Sequence, residues 1–419
     1  MREFESKDNQ MIIGGVSAWG LAESYGTPLY VTDEQALREN YRRIHSAFSR
    51  HMDTRIMYAC KANSNLAILR ILEQEGSGID AVSIGEVQTC MKAGFSPDRI
   101  LYTGVNVSTE ELRQVVKAGV PVNVDSFSEL RRLAEISTDV PISFRVTPGV
   151  GSGHHPKVVT GAKGSKFGIP RESIIDAYRE ALDLGFEPQG LHAHIGSGGQ
   201  SVEPFMDLIG IMIDTVNEIK DQLGLSLRFL DMGGGIGVPY RPHDPVMEVD
   251  ELAMTITDMI KEETEVETLY VEPGRYIICD STVLLTRCVD IKTTPEKNFI
   301  GVDAGFNTLI RPAFYDSYHH VAIANKFNRA CERKFDVVGP ICESGDYLAR
   351  DRVLPEPEEG DLLAVYDAGA YGFVMSSNYN SRPRCREALV NQGQAELIRE
   401  REDMDDIWRH QTVPGRLQQ

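Results

Sequence analysis

Short apolar runs recur along the first two thirds of the chain and alternate with amphipathic segments. Eight runs have the length and composition of buried strands, at residues 56–60, 79–82, 100–103, 122–124, 142–146, 190–195, 229–232 and 269–271. Helical periodicity occurs between most of them, for example at 67–74, 86–93, 110–118, 127–136 and 173–184. This alternation predicts an α/β fold, a (β/α)8 TIM barrel. An open doubly wound sheet is the alternative that fits the same pattern.

The pattern changes after about residue 280, where strand-like runs follow one another with little helix between them. They are at 283–291, 298–302, 333–338 and 361–366. We expect the early run 29–32 to join them, and Asp33 to cap a helix at 34–48. The predicted domains are a barrel at 35–280 and a β domain, sandwich-like or β-barrel-like, formed by 1–34 and 281–419. The charged stretch 395–419 predicts a surface helix and a frayed tail.

Composition narrows the classes of function. The 419 residues include 43 basic and 62 acidic side chains, a net charge of −19 without a basic run, which argues against binding nucleic acid or anionic membranes. No apolar run approaches 18 residues and the N-terminus is charged, so neither a membrane span nor a signal peptide is predicted. The seven cysteines lack zinc-site spacing, so no metal site is predicted and the cytoplasm is the expected compartment.

Ionisable side chains follow the predicted strands at their C-terminal ends, where barrels carry their chemistry. Lys61 follows the first strand directly, and Asn63, Ser64 and Asn65 after it are helix-capping types. Other polar residues at these ends are Asp80, Asp125, Arg145, His194, Ser197, Asp231 and Glu272. A lone lysine after a strand is usually a solvated surface residue. Lys61 is therefore a candidate for catalysis only because other polar residues lie at the neighbouring strand ends.

Two phosphate-binding features occupy the loops after the seventh and eighth strands. Residues 233–237 read Gly-Gly-Gly-Ile-Gly, and Gly274-Arg275 follows the last strand. Glycines let backbone N–H groups approach an anion, and arginine adds a charge-assisted clamp. These two loops commonly hold phosphate in barrels, so a phosphate-bearing ligand is predicted.

A phosphate site and a lysine at one end of a barrel predict pyridoxal phosphate, held by Lys61 as a Schiff base. Barrel closure would place Glu272 near Lys61, where a carboxylate could keep the pyridine nitrogen protonated. That ring would accept the electrons left when an α-amino acid loses CO2. His194 could stack on the ring face; the alternative is a core histidine bonded to backbone.

The β domain carries a second group of chemical residues. Cys342 begins the polar string Cys-Glu-Ser-Gly-Asp, where a structural cysteine is less expected, and could donate a proton after decarboxylation. Arg311 and Tyr315, in Arg-Pro-Ala-Phe-Tyr, would suit a substrate carboxylate. Each residue taken singly has a plain alternative, a buried small cysteine or a surface arginine.

Taken together, the motifs resemble a known family. They are Tyr-Ala-Cys-Lys-Ala-Asn (58–63), Asp-Ala-Val-Ser-Ile-Gly-Glu (80–86), Ser-Lys-Phe-Gly (165–168), His-Ile-Gly-Ser (194–197), Gly-Gly-Gly-Ile-Gly, Glu-Pro-Gly-Arg (272–275), Arg-Pro-Ala-Phe-Tyr, Cys-Glu-Ser-Gly-Asp and Gly-Ala-Tyr-Gly (369–372). From Tyr25 to about Leu389 the chain resembles the fold type III pyridoxal-phosphate decarboxylases, most of all the members that act on diaminopimelate. The resemblance implies decarboxylation of meso-2,6-diaminopimelate to L-lysine and CO2, the last step of lysine biosynthesis.

The resemblance also implies residue roles and a homodimer with shared active sites. Lys61 would form the Schiff base, His194 would stack on the ring, Glu272 would meet the pyridine nitrogen, and Cys342, from the partner subunit, would donate the proton. The predicted cofactor-binding set is Lys61, Asp80, His194, Ser197, Gly234, Gly235, Glu272, Gly274, Arg275 and Tyr371. The predicted substrate-binding set is Arg275, Arg311, Tyr315, Glu343 and Tyr371.

The sequence departs from the family pattern at a few positions, so it identifies the reaction more firmly than the substrate. Gly198 stands where many relatives carry glutamine, and the loop 149–163, with His154-His155 and Thr160-Gly161, is near the usual pattern without matching it. A related decarboxylase acting on ornithine, arginine, carboxynorspermidine or a D-amino acid is the main alternative. Arg311 would repel the cationic far end of a simple diamine precursor. A racemase or a non-catalytic relative fits less well, because Glu272, Lys61 and Cys342 are all present.

Overall fold

The computed structural model describes residues 2–151, 160–162 and 164–418. The chain divides into two compact units, Leu37–Cys279 and the pair Met1–Ala36 with Asp280–Gln419. We call them the barrel unit and the β unit. Among the described residues, no helix combines the length and the apolar character needed to cross a membrane.

The N-terminal segment begins with a small antiparallel sheet of β1 (Glu5–Lys7), β2 (Gln10–Ile13) and β3 (Val16–Ser17). Helix α1 (Ala18–Tyr25) follows, capped by the Ser17 side chain, and then strand β4 (Leu29–Asp33). Helix α2 (Glu34–Ser49) starts as predicted, because the Asp33 carboxylate accepts the backbone N–H groups of Gln35 and Ala36 at 3.0 and 3.3 Å.

The barrel unit is a closed barrel of eight parallel strands. They are β5 (Asp53–Ala59), β6 (Gly78–Ala81), β7 (Ile100–Tyr102), β8 (Val122–Val124), β9 (Ile142–Thr147), β11 (Pro188–His192), β12 (Phe229–Asp231) and β13 (Thr268–Val271), and the two-residue β10 (Ile169–Pro170) extends β9 at the edge. Pairing of β13 with β5 closes the ring, with Thr268 opposite Asp53. The predicted TIM barrel is therefore confirmed, and the open sheet is wrong.

Helices follow the barrel strands as the periodicity predicted. They are α3 (Leu66–Gln74), α4 (Ile84–Ala93), α5 (Thr109–Ala118), α6 (Phe127–Ala134), α7 (Ile174–Asp183), α8 (Glu203–Leu223), α9 (Val249–Glu263) and the single turn α10 (Arg275–Ile278). Four of them begin at a side chain that accepts a backbone N–H of the first turn: Asn65, Ser83, Ser108 and Ser126. Capping residues at the strand-to-helix turns thus fix where α3, α4, α5 and α6 begin.

The β unit contains a nine-stranded sheet. Its further strands are β14 (Thr282–Thr293), β15 (Asn298–Val302), β16 (Val321–Ile323), β17 (Arg333–Val338), β18 (Tyr347–Leu354), β19 (Leu362–Val365), β20 (Arg386–Asn391) and β21 (Gln394–Arg399), with short helices α11 (Arg311–Tyr315) and α12 (Met404–Trp408). β4 lies between β14 and β20, so the N-terminal strand joins this sheet as predicted. The predicted surface helix in 395–419 is present only as the short α12, and the β unit differs from the prediction at residues 395–399, which form most of β21. A turn at Gln392 and Gly393 lets them pair with β20.

Both faces of the β-unit sheet are covered. On β14, Leu284 enters one apolar core while its neighbours Val283 and Leu285 enter another. Successive side chains of a strand point to opposite faces, so a continuous apolar run serves two cores. Single 3₁₀ turns complete the described structure, at Cys60–Ala62, Pro97–Arg99, Arg171–Ser173, Ala324–Lys326, Phe373–Met375, Tyr379–Ser381 and Gly415–Leu417.

Candidate active site

The C-terminal ends of the barrel strands, which we call the barrel mouth, gather most of the predicted site residues. Parallel pairing brings strand ends together, since Ala59 at the end of β5 lies opposite Asp80 in β6. At the other side, His192 at the end of β11 lies between Arg145 of β9 and Asp231 of β12. Strand register therefore assembles charged groups that are far apart in sequence.

Lys61 lies in the 3₁₀ turn that ends β5, and its side chain is half-exposed. Its Nζ donates to Asp80 Oδ2 at 2.5 Å, and Asp80 is 1% exposed. The hydroxyl of Thr103 donates to the other oxygen of Asp80. A buried carboxylate held from two sides thus aims the lysine amine, as expected for a reactive amine.

Glu272 follows β13 and is buried. Its Oε2 lies 3.3 Å from Nε2 of His192, while its Oε1 is buried without a hydrogen-bond partner among the described residues. Burial raises the pKa of this carboxyl, but His192, Lys61 and His194 lower it, and the net value is about 2. Glu272 is therefore ionised at neutral pH.

Asp231 is fully buried beside Glu272. Burial raises the pKa of Asp231 well above its usual range, and the negative charge of Glu272 raises it further. One atom of each of His192, Asp231 and Glu272 lies within 4.8 Å of the others. Two carboxylates this close do not both ionise in a dry site, so Asp231 holds a proton while Glu272 holds the charge.

His194 lies two residues beyond His192, in the loop after β11. Its Nδ1 accepts the backbone N–H of Gly234 at 3.2 Å. Burial lowers the pKa of His194 to about 3, and the positive charges of Arg145 and Lys61 add to this effect. The ring is therefore neutral, which suits stacking on an aromatic ligand.

Two glycine-rich loops, 196–199 after β11 and 233–237 after β12, lie against each other. Backbone N–H groups of Gly198 and Gly199 donate to the carbonyl of Gly235 at 3.0 and 2.8 Å. Gly235 has φ of +104°, and a Cβ there would lie 2.6 Å from the Gly196 carbonyl oxygen. A Cβ on Gly234 would collide with the Glu272 carbonyl oxygen. Both positions thus require glycine, which keeps the backbone open towards the barrel mouth.

Arg275 contacts Ser197 of the first glycine-rich loop and adds a positive charge there. Arg275 is 4% exposed, and its Nη2 donates to Ser197 Oγ at 3.1 Å. Its Nη1 donates to the hydroxyl of Tyr240, which comes from the loop after β12. Gly274 is the residue immediately before the short helix α10. The predicted phosphate-binding residues of the barrel unit therefore lie in neighbouring loops.

In the β unit, a buried arginine lies between two tyrosines. Arg311 is 2% exposed, and its guanidinium carbon lies 5.9 Å from the ring centre of Tyr315 and 6.0 Å from that of Tyr371. Its Nη2 donates to Ser317 Oγ at 3.2 Å. These three predicted substrate-binding residues are thus brought together within this unit.

Cys342 and Glu343 lie in a separate exposed loop, residues 341–346, which we call the Cys342 loop. The thiol contacts Asn380, whose Nδ2 lies 3.3 Å from the sulfur, and the Tyr379 hydroxyl donates to Glu343 Oε1 at 2.6 Å. Asp346 anchors the loop, since its carboxylate accepts backbone N–H groups of Ile341 and Phe306. The loop therefore has a defined conformation although the side chains of Cys342 and Glu343 are exposed.

Some residues of the barrel mouth were not in the predicted site. His192 contacts Glu272, Asn123 contacts His192, and Tyr240 contacts Arg275. His192 carried a signal, since it stands two residues before His194 and alternate residues of a strand share a face. Tyr240 carried none, because it lies within a loop. The predicted His154-His155 pair and Lys163 lie outside the described residues.

Comparison with known proteins identifies the family. A family model described as "Pyridoxal-dependent decarboxylase, pyridoxal binding domain" matches residues 34–279. Diaminopimelate decarboxylase of Methanothermobacter thermautotrophicus is 52% identical over 97% of this chain and 96% of its own length. The Archaeoglobus fulgidus enzyme of the same name is 44% identical, with 98% and 99% covered. The chain belongs to the diaminopimelate decarboxylase family.

Solved structures of this family have the same architecture. Diaminopimelate decarboxylase from M. jannaschii, in co-complex with L-lysine, matches with a TM-score of 0.93 and 36% identity over 99% of this chain and 98% of that one. The predicted family, the barrel with a separate sheet domain, and the pyridoxal-dependent decarboxylase class are confirmed.

The barrel mouth fits the cofactor of the diaminopimelate decarboxylase family. Pyridoxal phosphate presents an aldehyde, a pyridine nitrogen and a phosphate. Lys61 offers an amine, and the buried Oε1 of ionised Glu272 offers an acceptor for a protonated ring nitrogen. The glycine loops with Arg275 and Ser197 offer an anion cradle. Each functional group of the cofactor thus has a matching group in the barrel unit.

Proposed function

We propose that this chain catalyses the pyridoxal-phosphate-dependent decarboxylation of meso-2,6-diaminopimelate to L-lysine and CO2. The observation that carries the proposal is the set of groups at the barrel mouth, where Asp80 holds the Lys61 amine, the Glu272 carboxylate is buried, and Arg275 contacts Ser197. Full-length likeness to diaminopimelate decarboxylases supports the choice of substrate. The M. jannaschii structure contains L-lysine, the product of the proposed reaction.

In this proposal the barrel unit supplies the cofactor-binding residues except Tyr371, and the β unit carries Tyr371, most of the substrate-binding residues and the proton donor. When bound, pyridoxal phosphate supplies an electron sink for the bond that loses CO2. Lys61 binds the cofactor aldehyde covalently, and Asp80 orients the lysine amine. Glu272 holds a proton at the pyridine nitrogen, and neutral His194 covers one ring face. Ser197, Gly234, Gly235, Gly274, Arg275 and Tyr371 hold the phosphate.

Arg311 is the proposed specificity residue. Its guanidinium is buried between Tyr315 and Tyr371, and a planar fork can bind a carboxylate through two parallel hydrogen bonds. Diaminopimelate has a carboxylate at the end that does not react, whereas ornithine and arginine have a cation there. A buried arginine attracts the first and repels the others.

Cys342 is the proposed proton donor to the carbon that has lost CO2, and Glu343 the proposed contact to the substrate. Both side chains are exposed on the Cys342 loop, which Asp346, Tyr379 and Asn380 hold in shape. We propose that they act in the active site of the partner subunit of a homodimer. A loop of defined conformation that exposes its reactive groups suits such a role.

The cytoplasm stays the predicted location of the protein.

A decarboxylase for another amino acid is the second candidate. The loop 149–163 and Gly198 leave it open, because they depart from the usual pattern of the family. Glu272 disfavours a racemase of the same fold, since racemases of this kind place an arginine against the pyridine nitrogen.

The test is CO2 release by purified protein with pyridoxal phosphate, comparing meso-diaminopimelate with ornithine, arginine and carboxynorspermidine. We expect activity on diaminopimelate alone, with L-lysine as product. Activity on another substrate alone would keep the cofactor chemistry and overturn the role of Arg311. A protein without a visible cofactor absorption band, under conditions that load a known family member, would overturn the proposed role of Lys61.

A further inference from the structure

His192 is buried beside Glu272 and has a hydrogen-bond partner on each ring nitrogen. It is 1% exposed, at the end of β11. Its Nε2 lies 3.3 Å from Glu272 Oε2, and its Nδ1 lies 3.0 Å from Asn123 Nδ2. Ser143 Oγ in turn donates to Asn123 Oδ1 at 2.8 Å. A line of three residues on three neighbouring strands therefore ends at the Glu272 carboxylate.

The hydrogen bonds of this line define the tautomer of His192. Ser143 donates to the amide oxygen of Asn123, so the amide nitrogen of Asn123 faces His192. An amide nitrogen only donates, and Nδ1 of the ring must therefore accept. The ring hydrogen is then on Nε2, from which it is donated to Glu272. With the amide reversed, Nδ1 would carry the hydrogen, and a neutral ring would turn a lone pair towards the carboxylate.

This arrangement divides the two oxygens of Glu272 between two tasks. Oε2 is engaged by His192 and Oε1 is buried with no N–H partner among the residues the structure describes, while protonated Asp231 forms a side-chain hydrogen bond with the same carboxylate. Rotation of the carboxylate is restricted because one oxygen is held, so the position of the other is defined. A buried oxygen without a partner is costly unless a ligand supplies a donor.

We propose that His192 is a positioning residue, which holds Glu272 through an Nε2–H donor so that Oε1 meets the pyridine N–H of the cofactor. This inference rests on the proposed function, in which Glu272 contacts the pyridine nitrogen. A hydrogen bond from His192 also stabilises the charged form of Glu272 and so lowers the pKa of its carboxyl. Other titratable groups that act on Glu272 are Lys61, Asp231, His194 and Arg145.

The tautomer can be measured without activity. Two-bond proton–nitrogen correlation spectra of ¹⁵N-histidine-labelled protein distinguish an Nε2–H ring, an Nδ1–H ring and an imidazolium. The His192 signals are assigned by their loss in His192→Gln. We expect the Nε2–H pattern. An Nδ1–H ring, which has no donor at Nε2, would overturn the proposal, whereas an imidazolium would keep that donor and overturn only the accepting role of Nδ1.

Two substitutions of His192 separate the effect of its N–H donor from the effect of its ring volume. Glutamine can place an N–H where Nε2 is, whereas phenylalanine fills the space without a donor. We expect His192→Phe to weaken binding of pyridoxal phosphate by about 10-fold or more and to change the pH dependence of the cofactor band. His192→Gln should bind within about threefold of wild type. Exposed His45 on α2 supplies the control, His45→Gln, which should change neither quantity.

A double-mutant cycle with Glu272→Gln tests whether His192 acts through Glu272. We expect His192→Phe to have little further effect on cofactor affinity once Glu272 is neutral, because the two residues work as a unit. Additive losses, or equal losses in His192→Gln and His192→Phe, would overturn the proposal. If His192→Phe does not fold, the glutamine variant and the wild-type spectrum still decide. Failure of the proposed function would differ, since wild type would then bind no cofactor whatever the tautomer.

Discussion

The barrel mouth and the Cys342 loop carry chemical residues in contrasting environments. In the barrel mouth, Asp231, His192 and Glu272 are buried and are set by strand register. In the loop, Cys342 and Glu343 are exposed, and the anchoring Asp346 and Ile341 are buried. The first environment changes pKa values strongly, whereas the second leaves its reactive side chains in water.

The contrast indicates what each region needs in order to work. The buried side chains of the barrel mouth are already held in place by one another. A ligand that supplies one hydrogen-bond donor to Glu272 Oε1 therefore satisfies the remaining acceptor. An exposed thiol has no dry environment of its own, although a proton donor works best where water is excluded. The Cys342 loop therefore needs another surface to enclose it, which is why we assign it to the partner's active site.

Removing the lysine should have the largest effect. We expect Lys61→Ala to lower decarboxylase activity by at least about 10⁴-fold, since the residue that binds the cofactor covalently acts as a unit with it. The visible cofactor band should disappear. Absorption spectra and CO2 release measure the two effects, with Lys92→Ala, at an exposed lysine on α4, as the control. A Lys61→Ala protein with an unchanged band would contradict the model of the barrel mouth.

Buried charge in the barrel unit should also appear as pH-dependent stability. Glu129 on α6 is 2% exposed, and burial raises its pKa to about 8. The folded form therefore binds the proton more tightly than the unfolded form. The stability from this group is complete below the unfolded pKa and is lost as pH rises through about 8. We expect Glu129→Gln to remove this loss, roughly 2 to 5 kcal/mol of unfolding free energy.

Urea unfolding at several pH values between about 5 and 9 checks this, with exposed Glu135→Gln on the same segment as the control. Wild type and Glu135→Gln should lose stability together as pH rises, while Glu129→Gln should lose less, because the share due to Glu129 is gone. Parallel curves for all three proteins would show that Glu129 titrates normally. The interior of the barrel unit would then shift the pKa of a buried carboxyl less than the burial of Glu129 indicates.

Much of this contrast could be predicted from the sequence, because strand ends are local features. Apolar runs and capping residues such as Ser83 and Ser126 marked where strands end and helices begin, and barrel geometry then placed Lys61 and Glu272 at one end. The β21 strand was wrongly predicted as a helix, because its charged residues are partly exposed and its pairing with β20 depends on a distant sheet.

The pairing of side chains could not be predicted in the same way. The line Ser143, Asn123 and His192 joins residues up to 69 positions apart in pairs that only strand register defines. Asp346 was quoted as part of a motif, but its role as the anchor of the Cys342 loop depends on backbone N–H groups, including that of Phe306. Local pattern shows which residues are polar, and tertiary structure decides which of them meet.

Removing the thiol should have a smaller effect than removing the lysine. We expect Cys342→Ala to lower activity by about 10²-fold, the usual contribution of a positioned proton donor. The cofactor band should stay, because Cys342 is not one of the proposed cofactor-binding residues. Cys331, which is also exposed in the β unit, supplies the matched control, and Cys331→Ala should keep full activity. Loss of the band in Cys342→Ala would instead make the loop part of the cofactor site.

Mixing the two inactive variants tests whether the loop serves another subunit. In a dimer of Lys61→Ala with Cys342→Ala, one site receives Lys61 from one chain and Cys342 from the other, while the second site receives neither. Random exchange makes half of the dimers mixed, so we expect about a quarter of wild-type activity to return. If Cys342 served its own chain, no site would contain both residues and activity would stay near that of Cys342→Ala. Steady-state CO2 release after subunit exchange therefore distinguishes a shared site from a self-contained one.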